Sequence, residues 1–266
     1  MSNVSLNPEK FSSFMSIVSL LSSTCNDMVV NKGVICQASN TKAIYFNIDM
    51  TSVIGEQDII LSNIQMKEKI LSMFKKNPGD VSITMADKEF VFEDSYSMIT
   101  FRKPLESYIT NKYIPSEEME DKIAVNEKGV LIDLVLEKFI IERLKIMSES
   151  LSAIGIVVVF NGKEASFKLR SGDKDSTASG TLMHINNMSY ELNGYTVLPV
   201  EPFKLSAERY GIQMWFNDKG NIITKISPIL GKKTDDTENP TEQMPIDMYS
   251  FSMLTQPKSK GKATDE

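Results

Sequence analysis

Residues able to carry covalent chemistry are few in this sequence. There is one histidine, His184, and two cysteines, Cys25 and Cys36. A histidine base needs a carboxylate or nucleophile placed beside it. His184 lies in an expected strand, Thr181–Ile185, and no motif supplies either partner, so it reads as structural or surface. The phosphate-binding G-x-x-x-x-G-K pattern, G-x-G-x-x-G, H-E-x-x-H and C-x-x-C do not occur. Asp173-Lys174-Asp175 brings two carboxylates into a polar loop but lacks the spacing and glycine of a calcium loop, and reads as a solvated turn. The remaining acidic residues form no paired-carboxylate pattern. No catalytic residue, metal ligand or cofactor is assigned, and the chain reads as a non-enzyme.

The bulk properties agree with a binding role. A chain of 266 residues accommodates one large domain or two of about 130. Hydrophobic content of 41% and charged content of 24% are those of an ordinary globular protein. A net charge of −6 excludes a protein coated in basic patches but leaves room for a local basic channel. No apolar run approaches the roughly 20 residues that cross a bilayer, so no membrane partner is expected. Met1–Leu6 lacks a basic start and an apolar core, which argues against a signal peptide. The two thiols do not face each other in the expected hairpin, and they suit a reducing cytoplasm as buried core residues.

The elements that would position any site repeat. Asn7-Pro8-Glu9 caps and opens a helix with an apolar stripe of Phe11, Phe14, Met15, Val18 and Leu21. A hairpin, Asp27–Val30 and Val34–Ala38, turns at Asn31-Lys32-Gly33. Strands at Ala43–Ile48 and Gln57–Leu61 lead to a helix, Ile64–Lys76, whose apolar face is read as Met66, Ile70, Met73 and Phe74. Asn77-Pro78-Gly79-Asp80 ends it. Strands Val81–Met85, Glu89–Glu93 and Ser97–Phe101 close the first half. A proline-punctuated stretch, 103–118, is read as an extended connector. A strand at Lys122–Asn126, a helix at Asp133–Met147 and a hairpin around Asn161-Gly162, Ile154–Phe160 with Glu164–Arg170, open the second half. Thr181–Ile185 and Tyr195–Val197 follow, then at most two helical turns in Glu201–Ser206, and a hairpin from Gly211–Phe216 to Asn221–Ile226.

Turn positions expose the repeat. Asn31 and Asn161 lie 130 residues apart, Asp87 and Asp218 lie 131 apart, and both separations give one half-length. A β-rich unit with a helix, occurring twice, predicts two tandem α+β halves.

With the elements in this order, the chain resembles the DNA sliding clamps, and most closely those of T-even-type bacteriophages. The resemblance is carried by Asn7–Ala38, Asp58–Phe92, Leu134–Leu169 and Phe203–Ile226, the last reading FKLSAERYGIQMWFNDKGNIITKI. It implies an α+β fold of two sliding-clamp-like domains, with antiparallel sheets outside and helices on one face. It divides the chain into a first clamp domain at 1–102, a connector at 103–118 and a second clamp domain at 119–231; the tail at 232–266 departs from the family and, from the polar run at its start, reads as disordered. It implies a homotrimeric ring around duplex DNA, bound without regard to sequence, that tethers a DNA polymerase and is placed by a clamp loader. The location implied is the cytoplasm of an infected host cell. A clamp grips phosphates through loose lysine contacts on helix faces, and the residues placed for this are Lys10, Lys69, Lys75, Lys76, Lys138 and Lys145. Lys67 and Arg143, nearer the apolar arcs, are the weakest candidates. Partner peptides are expected beside the connector, at Leu105, Tyr108, Ile109, Tyr113, Ile114 and Trp215, with Ile35 and Phe46 as further lining. Within the tail, Met244–Leu254 is unusually apolar, and either docks on a partner or packs back on its own domain. The competing reading is a viral structural or interaction protein of two α+β domains that never encircles DNA.

Overall fold

The computed structural model describes residues 2–42, 44–76, 79–104, 113–114, 116–124, 129–171, 179–204, 207–217, 219–229 and 246–255. The first half begins with a strand that the sequence reading overlooked, β1 (Ser2–Leu6), which pairs antiparallel with β6 (Val81–Met85). Helix α1 (Pro8–Ser22) follows, with the Asn7 side chain accepting the Lys10 amide at 2.9 Å and Pro8 in the first turn. Its apolar stripe is wider than periodicity suggested. Ile17 and Leu20 are buried along with Phe11, Phe14, Met15, Val18 and Leu21, because α1 is packed against a second helix as well as the sheet.

Strands β2 (Asp27–Val30) and β3 (Val34–Ala38) are joined by the expected turn but do not form the expected hairpin ladder. β2 pairs instead with β5 (Ile59–Ser62), and β3 pairs with β4 (Ile44–Asp49). The cause is Gln37, whose buried amide accepts from the Val29 N–H at 2.9 Å and donates to the Asp27 carbonyl at 2.9 Å. One side chain thereby satisfies backbone groups that a ladder would otherwise have to pair. A short helix, α2 (Thr51–Ile54), was not expected from the sequence. Helix α3 (Ile64–Leu71) tightens into a 3-10 turn over Ser72–Lys76. Strands β6, β7 (Glu89–Glu93) and β8 (Met98–Arg102) complete a sheet of order β1-β6-β7-β8.

Between the halves lies helix α4 (Ser116–Ile123), where the sequence reading placed extended connector and the start of a strand. The second half opens with β9 (Val130–Leu136), so Asp133–Leu136 is strand, not helix. Pairing of Leu136, Val135 and Leu134 with Tyr210, Gly211 and Ile212 outweighs the helical spacing there. Helix α5 (Lys138–Ser150) then leads to β10 (Gly155–Gly162), β11 (Glu164–Arg170), β12 (Ser179–Ile185) and β13 (Leu192–Pro199), in the order β12-β11-β10-β13. A 3-10 turn at Glu201–Lys204 precedes β14 (Arg209–Phe216) and β15 (Ile222–Ile229).

The expected disordered tail is corrected in its described part. Ile246–Ser252 forms β16, lying between β15 and β4 in a six-stranded sheet of order β3-β4-β16-β15-β14-β9. The described part of the apolar run, 246–254, therefore packs back on the chain and joins the two halves. Ile246 and Met248 enter the common core with Phe46, Ile48 and Ile226. Beyond it, Thr255 exchanges two backbone hydrogen bonds with Tyr195 on β13, both 2.9 Å.

Candidate functional site

Two surfaces follow from this arrangement. On one side, α3 packs on α1, α1 on the turn 201–204, and that turn on α5, forming one row of helical elements across both halves. The α3 end of the row carries the basic charge. Lys69, Lys75 and Lys76 are exposed there. The interleaved Glu68 does not join them, because its carboxylate accepts hydrogen bonds from Ser19 and Ser22 of α1. Met66 and Met73, expected on the apolar face, are 47% and 45% exposed and lie among the lysines. Lys67 takes the inward position, 5% exposed, with its ammonium 5.1 Å from the Phe101 ring centroid. Burial pushes its pKa below the ordinary lysine value, and Asp27 pulls it back up.

The other sequence-derived lysines are spread along the row. Lys10 is exposed in the first turn of α1 and Lys138 at the start of α5, while Lys145 is half-buried. Arg143, one of the weakest candidates by sequence, is exposed. Its neighbours Glu142 and Glu149 are exposed too, so α5 is electrically mixed where α3 is not. Serines 12, 13, 16 and 19 give the uncovered side of α1 a neutral polar surface.

The second surface is the outer face of the six-stranded sheet. Alternation along each strand sends Ile44, Phe46 and Ile48 inward and Tyr45 outward on β4, and Met248 inward and Tyr249 outward on β16. Tyr45, Tyr249, Phe251, Ile223 and Trp215 thus form an apolar cluster separate from the main core. The Tyr45 and Phe251 rings meet edge-on at 4.8 Å. Helix α4 covers the cluster. Ile123 packs on it, the Trp215 indole N–H donates to the Ile123 carbonyl at 2.8 Å, and the Asn217 amide donates to the Lys122 carbonyl at 3.4 Å. At the rim, Lys225 pairs with Asp247 at 2.8 Å, and Asp247 also accepts from Ser227 at 2.6 Å. Burial, and behind it the neighbouring Asp247, raises the Tyr249 pKa.

Of the partner residues read from sequence, Trp215 is in this cluster. Tyr113 bridges to Gln37 on β3, and the Ile114 amide donates to the Cys36 carbonyl at 2.7 Å, so the connector caps the β3 edge. Leu105, Tyr108 and Ile109 lie outside the described residues. Ile35 and Phe46 are corrected: both are fully buried in the main core and line no outer face. The sequence reading missed Tyr45, Tyr249, Phe251, Ile223 and Ile123. Their signal was the parity of aromatic residues in strands, which becomes legible only once β16 is known to lie beside β4. His184 is exposed on β12, opposite Ser166, and both cysteines are buried as free thiols. Asp173 and Asp175 lie outside the described residues. Among the described residues, no group of three or more His, Cys, Asp and Glu side chains is placed to hold a metal ion.

No family model matches the sequence, and no curated protein matches it. The fold does have solved counterparts. The structure of the C-terminal region of FEN-1 bound to A. fulgidus PCNA is similar over 97% of this chain and 100% of the matched one, with a TM-score of 0.61 at 8% identity. The PCNA2–PCNA3 complex from Sulfolobus tokodaii is similar over 94% and 99%, with a TM-score of 0.56 at 10% identity. The Helicobacter pylori beta clamp has a TM-score of 0.57 at 13% identity over 97% of this chain, which spans 66% of that longer one. At these identities the likeness concerns architecture, and the architecture is the sliding-clamp fold, with antiparallel sheets on one side and helices on the other.

Proposed function

We propose that this chain is a DNA sliding clamp, a processivity factor that encircles duplex DNA and holds a DNA polymerase on it without performing chemistry of its own. The observation that carries the proposal is the junction within the chain and its unfilled counterpart at the two ends. β16 of the second half pairs with β4 of the first. By the internal repeat, β8 corresponds to β16 and β12 to β4, and each lies at a sheet edge. Unpaired edges invite strand addition. A head-to-tail contact of β8 with β12 of the next copy repeats the internal junction, and such contacts form a ring when the rotation closes. Two halves per chain, matching PCNA chains along their whole length, support a homotrimer.

In that ring the helical row faces the hole. Lys69, Lys75 and Lys76, helped by Lys10, Lys138 and Lys145, make mobile phosphate contacts that carry no sequence preference. The outer cluster beside α4 receives the polymerase and the clamp loader. The kinship with T-even phage clamps, and a place in the cytoplasm of an infected cell, rest on the sequence resemblance of 203–226 and its companion stretches. The test is topological. Protein placed on nicked circular DNA is retained through gel filtration and released when the circle is linearised, and light scattering gives the trimer mass. A monomer that leaves circular and linear DNA equally fast overturns the proposal and favours a two-domain interaction protein.

A further inference from the structure

We infer that helix α4 is a displaceable cover, an internal occupant of the Trp215 cluster that an incoming peptide must push aside. The inference rests on reading that outer face as partner-binding, and adds that the site is closed in the free protein. α4 has two faces. Met119 is buried and Ile123 packs on the cluster, one turn apart, while Glu117, Glu118, Glu120 and Asp121 are exposed. The hold on the cluster is concentrated in the last turn. It consists of the Ile123 side chain, the carbonyls of Ile123 and Lys122, and the Lys122 ammonium 5.7 Å from the Tyr45 ring centroid. Lys122 is further tied to Glu118 at 2.6 Å within the helix, an exposed contact that holds the helix and not the sheet.

Each of these contacts is of a kind that a foreign peptide supplies equally well. An aliphatic side chain replaces Ile123, and a main-chain carbonyl replaces the acceptor of the Trp215 indole. An eight-residue helix is marginal without docking, so displacing Ile123 together with the buried Met119 one turn before it frees the element. The partner chemistry that fits is a short segment with an aliphatic or aromatic anchor and a free backbone carbonyl beside it. The four exposed carboxylates of α4 disfavour acidic approach while the helix is seated and move away with it.

Trp215 is the sole tryptophan, so its fluorescence reports this site alone. The experiment uses the full chain carrying Met119→Asp and Ile123→Asp, with a synthetic peptide of residues 113–124 as probe. The expected result is red-shifted emission and a several-fold rise in acrylamide quenching in the variant, with assembly mass unchanged. Added peptide should return quenching to the wild-type level. Cys36, whose strand lies beneath the connector, should gain thiol reactivity in parallel. Equal shielding of Trp215 in variant and wild type, or no protection by the peptide, overturns the inference. If the variant fails to fold, hydrogen exchange of the wild type decides: α4 amides should exchange well before those of β14 and β15, and exchange at the core rate overturns the cover. None of these readouts depends on DNA, so failure of the clamp reading in the retention assay is separately visible.

Discussion

Tyr45 and Tyr249 are cross-strand partners on β4 and β16, and their pairing is the seam between the first half of the chain and the second. The seam has two sides. Outward, the two tyrosines belong to the aromatic cluster under α4. Inward, the adjacent pair Met248 and Phe46 is fully buried in the common core. One short strand thus contributes to the aromatic cluster and holds the halves together.

Breaking that strand should loosen the whole molecule. Met248→Asp places a carboxylate with no partner at a fully buried position, which costs on the order of 3–5 kcal/mol. Thermal unfolding followed by circular dichroism should show a fall in Tm of at least several degrees. A Tm equal to that of the wild type would mean that β16 is not part of the cooperative core.

The lysine face makes a separate prediction. Glu68 is held by Ser19 and Ser22, so the exposed side of α3 and its 3-10 extension presents Lys69, Lys75 and Lys76 without an intervening acid. Replacing all three with Glu should shorten retention on circular DNA at low salt and flatten its dependence on salt concentration. Stability should change little, since exposed charges contribute roughly 0–1 kcal/mol each. Retention and salt dependence equal to the wild type, with the ring assembled, would remove this face from the DNA channel.

Alkaline pH should destabilise the protein through Cys36. Burial, reinforced by Glu118 and opposed by Lys122, pushes its thiol from 9.0 to about 11. The group is fully buried and neutral when folded. The raised value means the stabilisation is complete below pH 9, where both states are protonated. It is lost between pH 9 and about 11, where the unfolded chain releases the proton first. The total is about 2–3 kcal/mol from a shift of this size. Buried Tyr210 and Tyr249, also raised, act in the same direction at higher pH, and Lys67, lowered, acts against them. Urea midpoints measured from pH 8 to 11 should fall less steeply in Cys36→Ala than in the wild type. Parallel curves would show that the thiol does not contribute.

Much of this architecture is legible from local pattern. Asn161-Gly162, the turn residues near Asp87 and Asp218, and the cap at Asn7 each state their local structure, and their spacing states the repeat. The misreadings arise where a distant contact overrides local preference. Asp133–Leu136 carries helical spacing but meets β14, and Asp27–Val30 prefers β5 because Gln37 occupies the ladder positions beside it. Met66 and Met73 are exposed where helical spacing placed them on the apolar face, whereas Lys67, read as nearer the apolar side, is the residue buried beside Phe101. The aromatic cluster could not be assembled from sequence, since its members come from four strands and α4. The exposure of Lys69, Lys75 and Lys76 was readable from helical spacing, whereas the selective withdrawal of Glu68 needed the α1 serines.

The seam also predicts the contact between copies in residue detail. The hairpins align from their turns: Met85 faces Phe90 as Phe216 faces Ile222, which makes Met98, the partner of Glu93, equivalent to Tyr249, the partner of Lys225. In the same way Asn31–Val34 aligns with Asn161–Glu164, which makes Thr181, the partner of Lys168, equivalent to Tyr45, the partner of Ala38. The pair Tyr45–Tyr249 therefore maps onto Thr181 of one copy and Met98 of the next. Met98 is 66% exposed in the single chain and Thr181 is exposed, as an open junction requires. Directly opposed residues of an antiparallel pair bring their Cα atoms to about 4.5–5.5 Å, within reach of a disulfide. The double variant Met98→Cys with Thr181→Cys should give a covalent ladder ending at the trimer on oxidation, while each single variant gives none. Cys25 and Cys36 are buried and should not add bands. Met98→Lys with Thr181→Lys should instead set like charges against each other across the junction and leave folded monomers. Absence of the ladder together with an intact ring in the lysine variant would show that the copies do not meet along β8 and β12.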